Sequence, residues 1–156
     1  MLYTHYISSP VGTLEITSDD TSVCRLVPVE NAGKNTGSDK IPEVMQQCVK
    51  ELNEYFSGKL KKFTVPVCQK GTTYQQKIWN ELQKIPYGTT ISYARLAEKT
   101  DHPKAYRAAG TANGKNKIII IIPCHRVINS DGKSGGYAFG PEMKQFLLDL
   151  EKKYQS

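Results

Sequence analysis

The first 29 residues alternate apolar and polar positions in three short runs, "YTHYI", "GTLEITS" and "SVCRLVPV". A period of two puts one set of side chains on one face, which predicts three short strands. Pro28 has no N–H to give a sheet, so the end of the third belongs at an edge. A polar loop, "ENAGKNTGSDK", follows without periodicity. In "PEVMQQCVKELNEYFSGK" the period changes: Val44, Met45, Cys48, Val49, Leu52 and Phe56 share a helical face, and Gly58 can close the helix. "KKFTVPV" reads as a further strand. A soft boundary near Gly71 separates this scaffold, residues 1–70, from residues 71–156.

Beyond the boundary the pattern is mostly helical. Thr73 followed by Gln76 has the spacing of a capping box, opening a helix that carries Ile78, Leu82 and Ile85. "PYGTT" is a turn. Ser92 can cap the next helix, "YARLAEKT", which turns Leu96 and Ala97 inward. "DHP" breaks the chain, and Pro103 suits the first turn of "KAYRAAGTANG". Two short helices so closely spaced form a helix-turn-helix candidate. The second has almost no side-chain bulk, with Ala105, Ala108, Ala109, Gly110 and Ala112, and Arg107 is its one long cation. Such smoothness serves close approach by a partner or tight internal packing, and the sequence leaves both open. "IIIIIPCHRV" places five β-branched residues before Pro123, which predicts a short strand buried on both faces that ends at the proline. The last helix, "PEMKQFLLDLEKK", has an apolar stripe of Met143, Phe146, Leu147 and Leu150.

At 156 residues the chain can bury one good core or two small ones. The N-terminus lacks the basic and apolar regions of a signal peptide, and the isoleucine run is too short to span a bilayer. Four cysteines with no CxxC pair argue against a zinc ribbon or a disulfide scaffold and suit a reducing cytoplasm. The net charge of +6 is concentrated: between Arg95 and Lys133 eight basic residues, Arg126 among them, face three acidic ones. A phosphate backbone is the usual partner of such a patch, although a solvated basic face has the same composition.

Cys124 is the candidate nucleophile. A free thiol titrates near ~8.5 and needs help to react at neutral pH. On a strand His125 would point away from it. If "CHRVI" opens a helical turn instead, nearby N–H groups favour the thiolate and His125 can act through a bridging water. A base of this kind wants an orienting carboxylate, and Glu151 on the last helix is the candidate. Between them, the glycine-punctuated loop "NSDGKSGGYAFGP" can approach a ligand closely, with Tyr137 as a pocket wall.

"PCHRV" at 123–127 resembles the active-site signature of the O6-alkylguanine–DNA alkyltransferases. "GTTYQQKIW", "IPYGTTISYARLA", "RAAGTANGKN", "GGYA" and "LLDLE" follow in family order and spacing, so the resemblance runs from residue 71 to about 152. The N-terminal part has only "SPVGTL". The resemblance implies single-turnover repair: an alkylated guanine leaves the duplex, and its O6-alkyl group passes to Cys124, with O4 of thymine left open as a second target. By similarity His125 is the water-bridged base, Glu151 orients it and Asn116 braces the active-site turn. Tyr93 helps rotate the nucleotide and Arg107 fills the vacated stack. The smooth helix, with Ala105, Ala112 and Asn113, lies in the minor groove. Cys124 and Val127 offer carbonyls to the guanine amino group, while Tyr137, Ala138 and Phe139 line the pocket. The partner implied is double-stranded DNA containing O6-alkylguanine; no cofactor, metal or membrane is implied, and a monomer is expected.

Two positions depart from the family pattern: Lys117 where proline follows the asparagine, and Phe139 where glycine is common. The presence of Cys124 argues against the alkyltransferase-like proteins, which bind alkylated DNA without catalysis and are the nearest alternative. A Cys-His-Glu thiol hydrolase and a non-catalytic DNA-binding regulator share parts of the pattern; the first would turn over, and the second would transfer nothing. The expected fold is α/β of the α+β kind. A small N-terminal antiparallel β-sheet with a helix precedes a mainly helical C-terminal domain that carries the helix-turn-helix and Cys124.

Overall fold

The structure, a computed structural model, describes residues 1–33, 41–102, 104–133 and 135–155. It divides the chain into two compact units, Met1–Gln69 and Lys70–Ser156.

In the first unit β1 (Tyr3–Ser9), β2 (Gly12–Ser18) and β3 (Val23–Val29) form an antiparallel sheet in that order. The β1–β2 register runs from Tyr3 opposite Ser18 to Ser9 opposite Gly12, so Pro10 and Val11 alone make the turn. The strand period appears in the burial: Leu14 and Ile16 point inward and are wholly inaccessible, and Leu26 joins them from β3. α1 (Glu43–Phe56) covers that face with Val44, Met45, Cys48, Leu52 and Tyr55. Full burial of a side chain such as Leu52 contributes about 2 kcal/mol. The buried stripe differs from the apolar pattern, because Val49 and Phe56 are only half-buried while Glu51 is covered. Glu51 accepts bonds from the N–H groups of Thr64 (2.9 Å) and Val65 (3.1 Å) and so anchors the segment after the helix. That segment is not the strand expected for "KKFTVPV"; it meets the sheet in a single parallel bridge, Val67 to Val23. Gly58 adopts φ +81° as α1 ends. Most of the polar loop after β3, residues 34–40, lies outside the described residues, as does Pro103.

The second unit contains α2 (Thr73–Gln83), α3 (Tyr93–Lys99), α4 (Tyr106–Gly114) and α5 (Pro141–Lys153). The capping box is one residue earlier than the spacing suggested: the Thr72 hydroxyl accepts from Gln75 N–H, and the Gln75 side chain accepts from Thr72 N–H. Ser92 caps α3 as expected, accepting from Arg95 N–H at 3.0 Å. α4 begins at Tyr106, after Ala105. It packs Ala109 and Ala112 inward and leaves Arg107, Ala108 and Thr111 exposed, so its small residues serve internal packing on one face and a smooth surface on the other. The Trp79 indole N–H donates to the Ala112 carbonyl at 3.0 Å, and a Cβ on Gly71 would strike the same ring at 2.5 Å.

The isoleucine run is not a strand. Ile118–Ile122 form a knot of turns, each side chain at most 8% exposed. The Asn116 side chain organises it, donating to the carbonyls of Ile118 (3.3 Å) and Ile122 (2.8 Å) and accepting from Ile118 N–H (3.0 Å). Ile120 takes φ +71°, a left-handed conformation that a β-branched residue adopts only under surrounding constraint. Strand pairing lies just beyond: β4 (Ile91–Ser92) runs parallel to β5 (Val127–Ile128), tying the start of α3 to the residues that follow Cys124.

Candidate active site

Cys124 opens a single 3₁₀ turn, Cys124–Arg126, directly after Pro123. The thiol is at the floor of a cavity of about 230 Å³ walled by Tyr93, Asn116, Tyr137, Ala138 and Phe139, with α4 contributing Gly110, Asn113 and Gly114. A second hollow shares Tyr93 and Gly110 with it and opens beside Tyr106 on the exposed part of α4. Tyr93 and Gly110 are thus a threshold between surface and thiol.

The 3₁₀ turn sends His125 and Arg126 to one carboxylate. His125 Nε2 is 2.6 Å from Glu151 Oε2, both side chains being fully buried. Arg126 donates from Nε to Oε1 (2.8 Å) and from Nη2 to Oε2 (3.1 Å), and Gly88 N–H donates to Oε1 (3.2 Å). Burial opposes the charge on Glu151, yet the hydrogen bonds and charges of His125 and Arg126 hold its carboxyl well below the usual carboxylate range. Burial also lowers the His125 pKa, against the pull of Glu151, so the imidazole is neutral at physiological pH. An ionised Glu151 can only accept, so Nε2 bears the proton and Nδ1 holds the free lone pair. Nδ1 is buried and has no hydrogen-bond partner among the described residues.

The thiol environment corrects one expectation. The turn does favour the thiolate, but burial outweighs it and pushes the Cys124 pKa up. Asn116, Tyr137 and the Lys144 ammonium pull in the opposite direction; the Tyr137 hydroxyl acts without reaching hydrogen-bond geometry. Burial and the neighbouring Cys124 raise Tyr137 well above the ordinary phenol value, so it remains a protonated donor.

Other candidates fall as follows. Asn113 faces inward and donates from Nδ2 to the Cys124 carbonyl at 3.3 Å, and its buried Oδ1, at the cavity wall, has no hydrogen-bond partner among the described residues. Ala112 is packed beneath Trp79, Ala105 precedes the first turn of α4, and Arg107 is exposed with its guanidinium 6.0 Å from the Tyr106 ring. The two departures from the family pattern meet: Lys117 Nζ is 5.6 Å from the centre of the Phe139 ring, which also packs edge-on to Tyr137.

Arg126 and Lys144 were not singled out from the sequence for the site. Arg126 counts there as a surface cation, but only 6% of it is exposed. Lys144 is wholly buried, donates to the carbonyls of Val127 (2.7 Å) and Gly136 (3.1 Å), and has its pKa lowered to about 8 by burial despite the nearby Cys124. The buried side of α5 is Lys144, Leu147 and Glu151; Phe146 is exposed and Met143 and Leu150 are half-buried. The spacing of Lys144 and Glu151, two helical turns apart, carried the signal, but an apolar stripe hid it.

A buried thiol next in sequence to a neutral histidine held by a carboxylate, in the unit that also carries α3 and α4, has the makings of a cysteine acceptor. Residues 73–153 match the 6-O-methylguanine DNA methyltransferase DNA-binding domain, and residues 2–69 match the ribonuclease-like domain of the same enzymes. The chain belongs to the 6-O-methylguanine DNA methyltransferase family. The methylated-DNA–protein-cysteine methyltransferase of Methanosarcina mazei is 40% identical over 158 residues, covering 97% of this chain and 98% of its own. The constitutive enzyme of that name from Bacillus subtilis is 39% identical over 160 residues, with coverage of 97% and 96%. Mycobacterium tuberculosis OGT in complex with DNA superposes with a TM-score of 0.86 at 41% identity, covering 96% of this chain and 92% of that one.

Proposed function

We propose that this protein repairs DNA by moving an alkyl group from O6 of guanine to the sulfur of its own Cys124, once per chain. The observation that carries this reading is the His125–Glu151 pair, which leaves a neutral imidazole with a free Nδ1 next in sequence to a pocket-floor thiol. The family relationship and the DNA complex of the mycobacterial relative support DNA as the partner.

A carbon attached to O6 inside a stacked duplex is out of reach of this thiol, so the nucleotide must be extruded. The smooth exposed side of α4 would lie in the minor groove, with Arg107 in the vacated stack and Tyr93 at the threshold. Inside the pocket His125 Nδ1 takes the thiol proton through a bridging water. The thiolate then displaces O6 from the alkyl carbon: the S–C bond forms, the C–O bond breaks and the electron pair stays on guanine. Tyr137 and the Ala138 N–H stabilise that oxygen, and the proton taken from sulfur is returned to the leaving base. The Cys124 and Val127 carbonyls suit the guanine amino group, although each already accepts one bond, from Asn113 and Lys144. Asn113 Oδ1, which has no partner among the described residues, is a third acceptor at the same wall. The thioether product has no leaving group that water can displace, which makes the reaction stoichiometric. The protein acts as a monomer in the cytoplasm; among the described residues no helix is long and apolar enough to cross a membrane.

Mass spectrometry after mixing with duplex DNA containing O6-methylguanine tests this. One methyl on Cys124 per chain, with no turnover, is expected. A methyl on Cys24, Cys48 or Cys68, or repeated cycles, would overturn it.

A further inference from the structure

Two cysteines lie outside the alkyl-transfer chemistry and within reach of solvent: Cys24 is half-buried and Cys68 exposed. Cys48, by contrast, is sealed in the first unit's core, where burial pushes its pKa up to about 12. The backbone brings Cys24 and Cys68 together. Val23 N–H donates to the Pro66 carbonyl and Cys68 N–H to the Val23 carbonyl, both at 2.9 Å, the two bonds of a parallel bridge between Val23 and Val67. Val23 is wholly buried, whereas Cys24, the next residue on its strand, is half-buried and Cys68, which follows Val67, is exposed. Cys24 is also the extra residue of a β-bulge, since Ser18 pairs with Val23 and Thr17 with Arg25. Its thiol donates to the Thr17 carbonyl at 3.4 Å.

We propose that Cys24 and Cys68 are an oxidisable pair, which a hydroperoxide converts to a disulfide clamping β3 to the segment that leaves the sheet. Hydrogen-bonded strands run about 4.8 Å apart. A disulfide accepts Cα separations of roughly 4.4–6.8 Å. Cys24 and Cys68 each lie one residue beyond the bridged pair Val23–Val67, so forming the bond requires the Cys24 side chain to leave the Thr17 carbonyl and turn toward Cys68. The Cys68 sulfur is also close enough to disfavour the Cys24 thiolate electrostatically. Among the described residues no third histidine, cysteine or carboxylate joins them to make a metal site.

The chemistry is balanced. Cys68, the more exposed, attacks the terminal peroxide oxygen as its thiolate; the O–O bond breaks, and sulfenic acid and an alcohol, or water, result. The Cys24 sulfur then attacks the sulfenic sulfur, the S–S bond forms, and hydroxide leaves with the Cys24 proton as water. Two thiols are oxidised and one peroxide is reduced. Among the described residues Cys124 has no second cysteine in the wall of its cavity, and burial raises the pKa of its thiol.

The test treats the reduced full-length chain with one equivalent of hydrogen peroxide, followed by intact mass measurement and peptide mapping. The expected result is loss of two hydrogen masses, a Cys24–Cys68 cross-linked peptide that a dithiol reductant reverses, and Cys48 and Cys124 recovered as free thiols after denaturation. Cys24→Ser should abolish the cross-link and leave oxygen added to Cys68. Oxygen added to Cys68 in the parent chain without any cross-link, or a disulfide involving Cys48, Cys124 or a second chain, would overturn the proposal. The outcome is independent of DNA and of alkyl transfer.

Discussion

Arg126 grips both oxygens of Glu151, through Nε at 2.8 Å and Nη2 at 3.1 Å, while its Nη1 donates to the Ile85 carbonyl at 2.8 Å. The carboxylate that orients His125 is thus itself oriented, by a side chain two residues from the nucleophile. Removing one partner of a buried ion pair leaves the other charge uncompensated, which costs about 3–5 kcal/mol. Arg126→Met is expected to destabilise the protein by that order in chemical denaturation. Adding Glu151→Gln removes the stranded charge and should restore part of the loss. A double variant as unstable as the sum of the single ones would show that the two groups are not energetically coupled.

The same carboxylate sets an acid-side limit. Glu151 titrates below its ordinary 4.5 in the folded state. Its contribution is therefore complete above the unfolded value and disappears as pH falls toward the folded one. His125, lowered from 6.5, has the same sign, because the unfolded chain binds its proton first. Stability should fall as pH drops below about 6.5 and again below about 4.5. Glu151→Gln should flatten the lower of these steps. It should also slow methyl transfer about tenfold or more in single-turnover measurements while DNA affinity remains nearly intact, because the proton relay is weakened and the binding surface is not. Unchanged transfer would remove Glu151 from the relay.

Much of this site is legible locally, and the rest fails for identifiable reasons. The Ser92 cap, the period-two strands and the helical turn after Pro123 depend on neighbours in sequence. The isoleucine run does not, because five β-branched residues have strand propensity and the Asn116 side chain turns them aside. Arg126 carries a charge that composition assigns to the surface, and its partner is 25 residues away. Lys144 and Glu151 interrupt the apolar stripe of α5, so the face that matters looks polar. The parallel pair Ile91–Val127 joins segments that no local period connects.

Phe139 forms one wall of the cavity above Cys124. Its ring lines the cavity, held between the Tyr137 edge at a centroid distance of 5.9 Å and the Lys117 ammonium at 5.6 Å. A cavity of about 230 Å³ with an aromatic wall is expected to accept a methylated base more readily than a benzylated one. Phe139→Gly should raise the rate with free O6-benzylguanine about tenfold or more, with a smaller change for O6-methylguanine in DNA. Equal changes on both substrates would assign Phe139 to general active-site support.

Arg107 separates extrusion from chemistry. It is exposed on α4, makes no ion pair among the described residues, and does not line the cavity that holds Cys124. If its side chain occupies the stack left by the extruded nucleotide, its loss weakens the flipped state and leaves the thiol, His125 and Glu151 untouched. Unstacking costs a few kcal/mol, so Arg107→Ala should slow repair of duplex DNA on the order of ten- to a hundredfold. Free O6-methylguanine base has no stack to open and needs no opening beyond the pocket mouth, so its slower reaction should be unchanged by the substitution. Single-turnover rates on the two substrates make the comparison. Equal slowing on both would mean that Arg107 supports the fold or the site, and an unchanged duplex rate would place it outside the flipping step.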